Sequence, residues 1–457
     1  MEQLDHFLFA VKEFLWGPPL LILLLGVGVY LTILLKGMQF RYLGFAFKQI
    51  FAEKKKNAKG DISHFEALMT SLAGAIGTGA IVGVASALAI GGLGALFWMW
   101  ITAFVGMATK YAESLLAVKY RKVDKRGEMI GGPMEYMEYG LNWKWIAIIF
   151  ALLGSIAAIS TGNLVQTNSI VEAVNKIWHI DPLITGCTVA LLTGLVILGG
   201  VKSIGHVSGV FVPLMALFYL IGGGIVIILN YQVIPEALIE IFKSAFTGQA
   251  AIGGFSGSTL MLAIQMGVSR SILSNEAGLG IPSIAAAAAK TDSSGRQAMI
   301  TMTGALLSTG IVCTITGLVI AVSQVLGKTN ESGQLLNGAA LAIEAFDTTI
   351  MGGGYIVTIG LILFAFSTII AWAYYGEKCF EYIFGEKAVI PYRILFTLIV
   401  IPGAIMKMET VWYIADISNG LMAIPNLIAL VFLSKDIKTE TQKFLKIADQ
   451  ELKDQKS

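Results

Sequence analysis

Long apolar runs alternate with short polar segments along most of this chain of 457 residues. About 20 predominantly apolar residues in a helix span the hydrocarbon core of a bilayer. Eleven stretches meet that criterion and predict eleven transmembrane helices. They lie near residues 14–36, 66–90, 92–118, 144–172, 182–199, 207–229, 254–288, 298–324, 352–376, 390–408 and 411–434. The stretch 332–349 is amphipathic and too polar to span, so we expect a short helix over the extracellular face.

Composition agrees with a membrane protein. Hydrophobic residues make up 56% of the chain and charged residues 14%, and the mean hydropathy is +0.75. Soluble domains carry about 25% charged residues. The three cysteines and four histidines lack metal-ligand spacing, which disfavours a disulfide framework and a zinc hydrolase. The net charge of +2 does not indicate nucleic-acid binding, and no obligatory protein partner is evident.

Lysine and arginine cluster in three polar segments: the loop after the first span, the loop after the third span, and the tail after residue 434. Loops on the other side carry about one lysine each. Because positively charged loops stay in the cytoplasm, we expect the N-terminus outside the cell membrane and the C-terminus inside. An odd number of spans agrees with that topology. The charged tail is expected to be a solvated helix or disordered.

Glycine interrupts two of the apolar runs. Residues 74–85 of the second span read GAIGTGAIVGVA, and residues 263–280 of the seventh read AIQMGVSRSILSNEAGLG, where the segment 267–270 breaks the run. The seventh span comes five spans after the second, and each span reverses direction, so the two helices cross the membrane in opposite directions. Paired interruptions in matching places of two halves are the sequence sign of a secondary transporter. We therefore expect an all-α membrane protein with a 5+5 inverted repeat and two discontinuous helices.

The chain is then expected to divide into four parts. These are an additional helix with a basic cytoplasmic loop at 1–65, a first five-helix repeat at 66–230, a second repeat with the amphipathic helix at 231–434, and the charged tail at 435–457.

Unwound segments of a membrane helix expose backbone groups that can bind ligands. Amides at a half-helix N-terminus suit a carboxylate, and free carbonyls suit Na⁺ or an ammonium group. One break can therefore hold both ends of a zwitterionic amino acid. The glycines are also compatible with plain close packing of helices.

Polar side chains inside two other spans are further candidates. The fourth span holds Gln166 and Asn168, and the ninth holds Ser367, Thr368 and Trp372. Polar groups at membrane depth are costly and often functional. The competing interpretations are hydrogen bonds that join helices, hydroxyls that bond to their own helix, and ordinary packing or interfacial anchoring of the tryptophan.

Several longer blocks resemble one transporter family. They are GAIGTGAIVGVASALAIGGLGALFWMW, MATKYAESLLAVKYR, EMIGGPMEYME, GNLVQTNSI, SNEAGLGIPSIAAAAAKTD, TIIAWAYYGEKCFEYIFG and ADISNGLMAIPNLIALVFLS. On these blocks the chain resembles the alanine or glycine:cation symporter family throughout its length, and SNEAGLG followed by alanines is highly specific. The resemblance implies a LeuT-like fold and uptake of small neutral amino acids, alanine or glycine, driven by Na⁺.

The resemblance also implies a substrate site. Amides of Thr78 and Gly79 would receive the carboxylate, and carbonyls of Ala75 and of the break at Gly267–Val268 would receive the amine. The full set of expected substrate-binding residues is Ala75, Gly77, Thr78, Gly79, Gln166, Asn168, Met266, Gly267, Val268, Ser269, Thr368 and Trp372. A pocket walled by Trp372, Met266 and Val268 would leave little room beyond a methyl group, since overpacking is costly.

For the coupling ion, the resemblance implies one Na⁺ between the second and ninth spans. Its expected ligands are carbonyls of Ala73 and Ile76 and hydroxyls of Ser367 and Thr368. A second sodium site of the wider fold often uses an asparagine after the G-x-G of the first core helix. Ala80 stands there in this chain, which favours a single coupling ion.

Three alternative functions are a membrane enzyme, a channel and a related symporter. A membrane enzyme would need a catalytic constellation that the sequence lacks, and a channel would more naturally repeat its filter residues in a symmetric oligomer. The closest rival is an H⁺-coupled symporter of the same fold, or one that prefers another small amino acid such as serine. Glu113 and Glu276 are the titratable candidates for a proton. Arg270 is a candidate gate partner of Glu276, and a plain structural pair is the alternative.

Overall fold

The structure is a computed structural model that describes residues 2–52, 58–247, 260–330, 333–406 and 409–454. Five parts of the sequence-based expectations lie outside these ranges. They are 53–57 of the first basic loop, 254–259 of the seventh span, 332 of the amphipathic stretch, 407–408 at the end of the tenth span and 455–457 of the tail.

Helices form at all eleven predicted positions. Over the described residues, seven helical segments are long and apolar enough to cross a membrane, and an eighth passes as a pair bent by 66°. Helices α7, α11 and α14 fill the third, fifth and seventh positions. The helices are α1 (Glu2–Leu15), α2 (Pro18–Leu34), α3 (Met38–Arg41), α4 (Leu43–Ile50), α5 (His64–Ala75), α6 (Val82–Gly91), α7 (Gly94–Lys119), α8 (Pro133–Glu135), α9 (Lys144–Ile159), α10 (Val165–Trp178), α11 (Pro182–Ile197), α12 (Gly200–Leu229), α13 (Ile234–Thr247), α14 (Leu260–Asn275), α15 (Pro282–Ala287), α16 (Ser294–Ala305), α17 (Thr314–Ser323), α18 (Gly338–Asp347), α19 (Gly354–Phe384), α20 (Val389–Ile405), α21 (Glu409–Phe432) and α22 (Ser434–Asp454).

Short elements connect them. Strands β1 (Lys122–Val123) and β2 (Met129–Ile130) pair antiparallel in the loop after α7. Wide π-helical turns at Ser160–Leu164 and Leu306–Cys313 join α9 to α10 and α16 to α17. The predicted amphipathic helix is α18, whose one face is buried.

The second span is discontinuous, as the sequence predicts. A capping box between Ser63 and Glu66 starts α5, which satisfies two backbone donors reciprocally. The helix ends at Ala75, Gly77 is extended with φ −107° and ψ −154°, and a single 3₁₀ turn at Thr78–Ala80 leads into α6. The break therefore begins within the glycine-rich stretch.

The seventh span breaks elsewhere than predicted. Helix α14 runs without interruption through residues 267–270, so the predicted break at Gly267–Arg270 is wrong. A Cβ on Gly267 would lie 2.6 Å from the Ala95 carbonyl oxygen, so this glycine serves close packing against α7. The chain unwinds at 276–281 instead, between α14 and α15. There Gly278 and Gly280 take φ values of +94° and +78°, which favour glycine.

The two broken helices run in opposite directions. Going up the chain from Gly79 through Gly83 to Gly91, the nearest residues on the other helix are Leu273, Arg270 and Met266. Numbers rise on α6 while they fall on α14, which is the arrangement expected of inverted repeats. The break in the second span therefore lies level with the last turn of α14.

The charged tail forms a helix, α22 (Ser434–Asp454), so a helix is confirmed over these residues and disorder is not; one face of it is buried rather than solvated. Ile437, Thr441, Phe444 and Ala448 are buried on one face. A Cβ on Gly295 would lie 2.4 Å from the Phe444 side chain, so α22 packs closely on the start of α16. The spacing of these residues is that of an amphipathic helix.

Candidate functional site

The break after α5 frees a carbonyl that two hydroxyls then approach. In an unbroken helix the Ala73 carbonyl would accept the Gly77 N–H, but Gly77 is extended. The Ala73 oxygen instead accepts hydrogen bonds from Thr368 Oγ1 at 2.9 Å and Ser367 Oγ at 3.4 Å. All three residues are buried. Carbonyls from unwound helices and nearby hydroxyls form the oxygen-rich environment that suits Na⁺.

Ile76 lies at the same break. It is the first residue beyond α5, and its N–H still donates to the Leu72 carbonyl at 2.7 Å. Its own carbonyl belongs to the unwound segment. The structure thus brings three of the four predicted ion ligands, Ala73, Ser367 and Thr368, into direct contact and places Ile76 at the same break.

Gly77 allows α19 to approach the break. A Cβ at Gly77 would lie 2.5 Å from Thr368 Oγ1 and 3.4 Å from Gln166 Oε1. The first distance is too short for any side chain without a shift of Thr368. Glycine is therefore required here by the close approach of α19, in addition to any role in unwinding.

The amide that follows Gly77 meets the fourth span. Thr78 N–H donates to Gln166 Oε1 at 3.4 Å, and Gln166 Nε2 donates to the Thr161 carbonyl at 3.1 Å. Thr161 lies in the π-helical turn between α9 and α10, and its hydroxyl accepts from Asn419 Nδ2 at 3.0 Å. The Gln166 side-chain oxygen thus accepts the Thr78 N–H at the break. An anionic group would bind this N–H more strongly than the neutral amide oxygen does.

Trp372 forms the wall beside this network. A Cβ on Gly162 would lie 2.2 Å from Trp372 Cβ, so the tryptophan packs directly on the π-helical turn. Its ring meets Tyr375 edge to face with centroids 5.9 Å apart. Trp372 is 2% exposed, which makes it a rigid boundary of the region.

Other predicted substrate residues lie elsewhere. Met266, Gly267, Val268 and Ser269 stay inside the continuous helix α14, level with the far end of α6, and are not brought to the break. Asn168 lines a cavity of about 410 Å³ beside α18 and α19. The structure brings Gly77, Thr78, Gln166 and Thr368 together; Trp372 adjoins them, and Gly79 faces Leu273.

Comparison with known proteins decides the family. The family model described as the sodium:alanine symporter family matches residues 1–457. The chain belongs to the sodium:alanine symporter family. It is 51% identical over 97% of its length to the sodium/alanine symporter AgcS of Methanococcus maripaludis, covering 98% of that protein. It is also 50% identical to an uncharacterized transporter of Haemophilus influenzae, over 96% of each chain.

The fold also has a solved counterpart. The structure of MhsT in complex with L-phenylalanine superposes with a TM-score of 0.57 at 14% identity, covering 83% of this chain and 98% of that one. At that identity the likeness concerns the fold alone. The sodium:alanine symporter chain is thus a multi-pass, all-α membrane transporter with a LeuT-like fold, as predicted, and it is not an enzyme.

Sequence reasoning named Glu113 only as a candidate for a proton and missed that it, Lys110 and Asn426 hold the second break. Glu113 Oε1 accepts the Gly278 and Gly280 amides at 3.0 Å each and Asn426 Nδ2 at 2.7 Å. Lys110 Nζ donates to the Asn275 carbonyl at 2.9 Å. The signal was present in the sequence, because SNEAGLG carries two glycines and the third span carries an intramembrane lysine and glutamate one turn apart.

Arg270 does not pair with Glu276. Among the ion pairs of the described residues, none joins the two, and Arg270 interacts electrostatically with Asp416 instead. Arg270 lies inside α14, whereas Glu276 stands beyond the end of that helix with a left-handed backbone conformation, φ +58°. The expectation of an Arg270–Glu276 gate is therefore wrong.

Proposed function

We propose that this protein imports small neutral amino acids, alanine and glycine, together with Na⁺ by alternating access. The observation that carries the proposal is the contact of the Ser367 and Thr368 hydroxyls with the Ala73 carbonyl, which has lost its helical N–H partner at the break of the second span. These oxygens come from two different helices. An ion that binds all of them would hold the unwound segment against α19.

The amino acid would bind beside the ion. The Thr78 amide points into the break and is held by Gln166 at only 3.4 Å, so a substrate carboxylate could replace the side-chain oxygen. The Gly79 amide follows on the same 3₁₀ turn. Carbonyls of Ala75 and of the unwound segment would suit an amine.

The size of the substrate would be limited by Trp372. The tryptophan is fixed between the Gly162 turn and Tyr375, so it cannot retreat without disturbing both. A larger side chain would therefore be excluded by overpacking. Met266 and Val268 do not form part of this wall, because they lie about one to two helical turns from Leu273, the residue of α14 that faces Gly79.

In the transport cycle, Na⁺ would first order the unwound segment against α19, and the amino acid would then complete the site. The loaded helices would rock against the remaining ones and release both solutes inside. Positive loops and the tail would face the cytoplasm, with the N-terminus outside. The four-part division of the chain stays a prediction of the same scheme.

Uptake into proteoliposomes tests the proposal. Labelled alanine, with unlabelled glycine and serine as competitors, is followed while Na⁺ and H⁺ gradients are imposed separately. We expect uptake with an inward Na⁺ gradient and none with an H⁺ gradient alone. Uptake driven by H⁺ alone would support the H⁺-coupled alternative, for which buried Glu113 and Glu276 are the available groups.

The ion ligands are tested by Thr368→Ala. Loss of one hydroxyl ligand should raise the Na⁺ concentration for half-maximal uptake about tenfold or more, because bonds to charged groups contribute about 1.5–3 kcal/mol. The matched control is Thr358→Ala, a buried threonine of the same helix whose hydroxyl bonds to its own Gly354 carbonyl. An unchanged Na⁺ dependence in Thr368→Ala would show that the ion assignment is wrong.

A further inference from the structure

Glu276 is a buried carboxylate that the ion site does not use. It is 1% exposed and follows the last residue of α14 with φ +58°. Its Oε2 has no hydrogen-bond partner, and its carboxylate makes no ion pair within 4.0 Å, over the residues that the structure describes. A buried carboxylate with an oxygen left unpaired is costly unless something else binds there.

The carboxylate lies at the break of the second span. A Cβ on Gly74 would be 3.3 Å from Glu276 Oε1, and Gly74 is one turn before Thr78. The Tyr375 ring, which meets Trp372 edge to face, would lie 3.0 Å from the same Cβ position, so Glu276 lies close to the proposed wall of the pocket. Glu276 therefore borders the same region as the Thr78 amide, from the side of α14.

The buried charges around the second break are two carboxylates, Glu113 and Glu276, and one ammonium group, Lys110, so a further cation would balance them. One oxygen of Glu113 accepts three N–H donors while its other oxygen also lacks a partner, and Lys110 donates to the Asn275 carbonyl. Lys110 also attracts both Glu113 and Glu276 electrostatically. Two carboxylates thus share one ammonium group, and Glu276 is the one with fewer local donors.

We infer that Glu276 receives the ammonium group of the amino-acid substrate. This inference rests on the proposed function and deepens it. An α-amino acid carries its carboxylate and ammonium group on one carbon, and the break offers the Thr78 amide to the first and the Glu276 carboxylate to the second. A substrate with the carboxylate alone would leave Glu276 unpaired. Zwitterions are therefore selected over simple carboxylic acids of the same size.

The experiment compares alanine with lactate, in which a hydroxyl replaces the ammonium group. Thermal-shift titrations of the purified full-length protein in saturating Na⁺ give the affinity for each compound separately. In Glu276→Gln, the alanine affinity should fall at least ~30-fold, as for loss of one partner of a buried charge pair, while lactate affinity should not fall. The ratio of alanine affinity to lactate affinity therefore falls in Glu276→Gln by the same factor.

Glu113→Gln is the matched control, since it is an equally buried glutamate at the same break. It should lower the unfolding temperature because it loosens the Gly278 and Gly280 amides, yet it should keep the ratio of alanine to lactate affinity. If Glu276→Gln keeps that ratio, the inference is overturned. If Glu276→Gln does not fold, Glu276→Asp tests the same point: a loss for alanine alone supports the inference, and equal losses or none overturn it. Absence of alanine binding in the unmodified protein would instead contradict the proposed function.

Discussion

Gly77 lies where α19 packs tightly against the broken second span, and it gives a sharp test of the ion site. Alanine can adopt the extended conformation of Gly77, φ −107° and ψ −154°, without backbone strain. The effect of Gly77→Ala must therefore come from the added methyl group. That methyl would lie 2.5 Å from Thr368 Oγ1, about 1 Å closer than an ordinary contact.

Thr368 has to move to make room. Its hydroxyl then loses the bond of 2.9 Å to the Ala73 carbonyl. Overpacking of a close contact costs about 1–3 kcal/mol, and the lost hydrogen bond about 1 kcal/mol. If both act on the ion-bound state, the sum of about 2–4 kcal/mol corresponds to a 30- to 1,000-fold weaker Na⁺ affinity.

The assay is Na⁺-dependent alanine uptake, with Na⁺-induced thermal stabilisation of the purified protein as a second measurement. Gly224→Ala is the control, because a Cβ at Gly224 in α12 meets nothing within 4 Å. There alanine should leave uptake unchanged and stabilise the helix by up to about 1 kcal/mol. Normal Na⁺ dependence in Gly77→Ala would refute the close approach of Thr368 and with it the ion site.

Two further substitutions test other contacts. Gly162→Ala should reduce alanine affinity more than Na⁺ affinity, because the added Cβ would lie 2.2 Å from Trp372 Cβ and must displace the pocket wall. Competitive uptake measures both affinities. Equal losses of the two affinities would contradict a pocket wall at Trp372. Phe444→Ala should lower the unfolding free energy by about 3 kcal/mol, because Phe444 lies on the buried face of α22 and is only 2% exposed. Exposed Gln442→Ala on the same helix should change it by less than about 0.5 kcal/mol in detergent unfolding.

The sequence predicts the first break well because local features decide it. Glycines 74, 77 and 79 weaken the helix within six residues, and Thr368 and Ser367 are neighbours on another apolar helix. The family resemblance then places the two segments side by side. The contacts of Ala73 with both hydroxyls agree with that placement.

The second break could not be located from local sequence. Gly267, Gly278 and Gly280 all lie within one stretch, and glycine is used both for close packing and for positive φ. The residues across from each glycine distinguish the two uses: the Ala95 carbonyl packs on Gly267, whereas Glu113 accepts the amides of the other two. Those neighbours come from α7, so only tertiary structure shows them.

The packing of α22 could have been predicted from the sequence. Positions 437, 441, 444 and 448 follow one another at intervals of three and four residues, which is the period of a helix with one buried face. High charge content obscured this pattern. Composition thus indicated a solvated tail, whereas periodicity indicates a docked helix.

The two breaks differ in how their backbone groups are satisfied, and this difference bears on which one responds to ligands. At 276–281 Glu113, Asn426 and Lys110 of the protein itself hold the backbone groups, whereas the Glu276 side chain keeps an oxygen without a partner. At 76–81 the Ala73 carbonyl has only neutral hydroxyls, and the Thr78 amide has only a distant amide oxygen. Stronger partners, a cation and a carboxylate, would therefore gain most at the first break. In the proposed cycle, binding of the ion and the substrate would therefore order the second span, because a ligand shifts an equilibrium only by its difference in affinity for the two states.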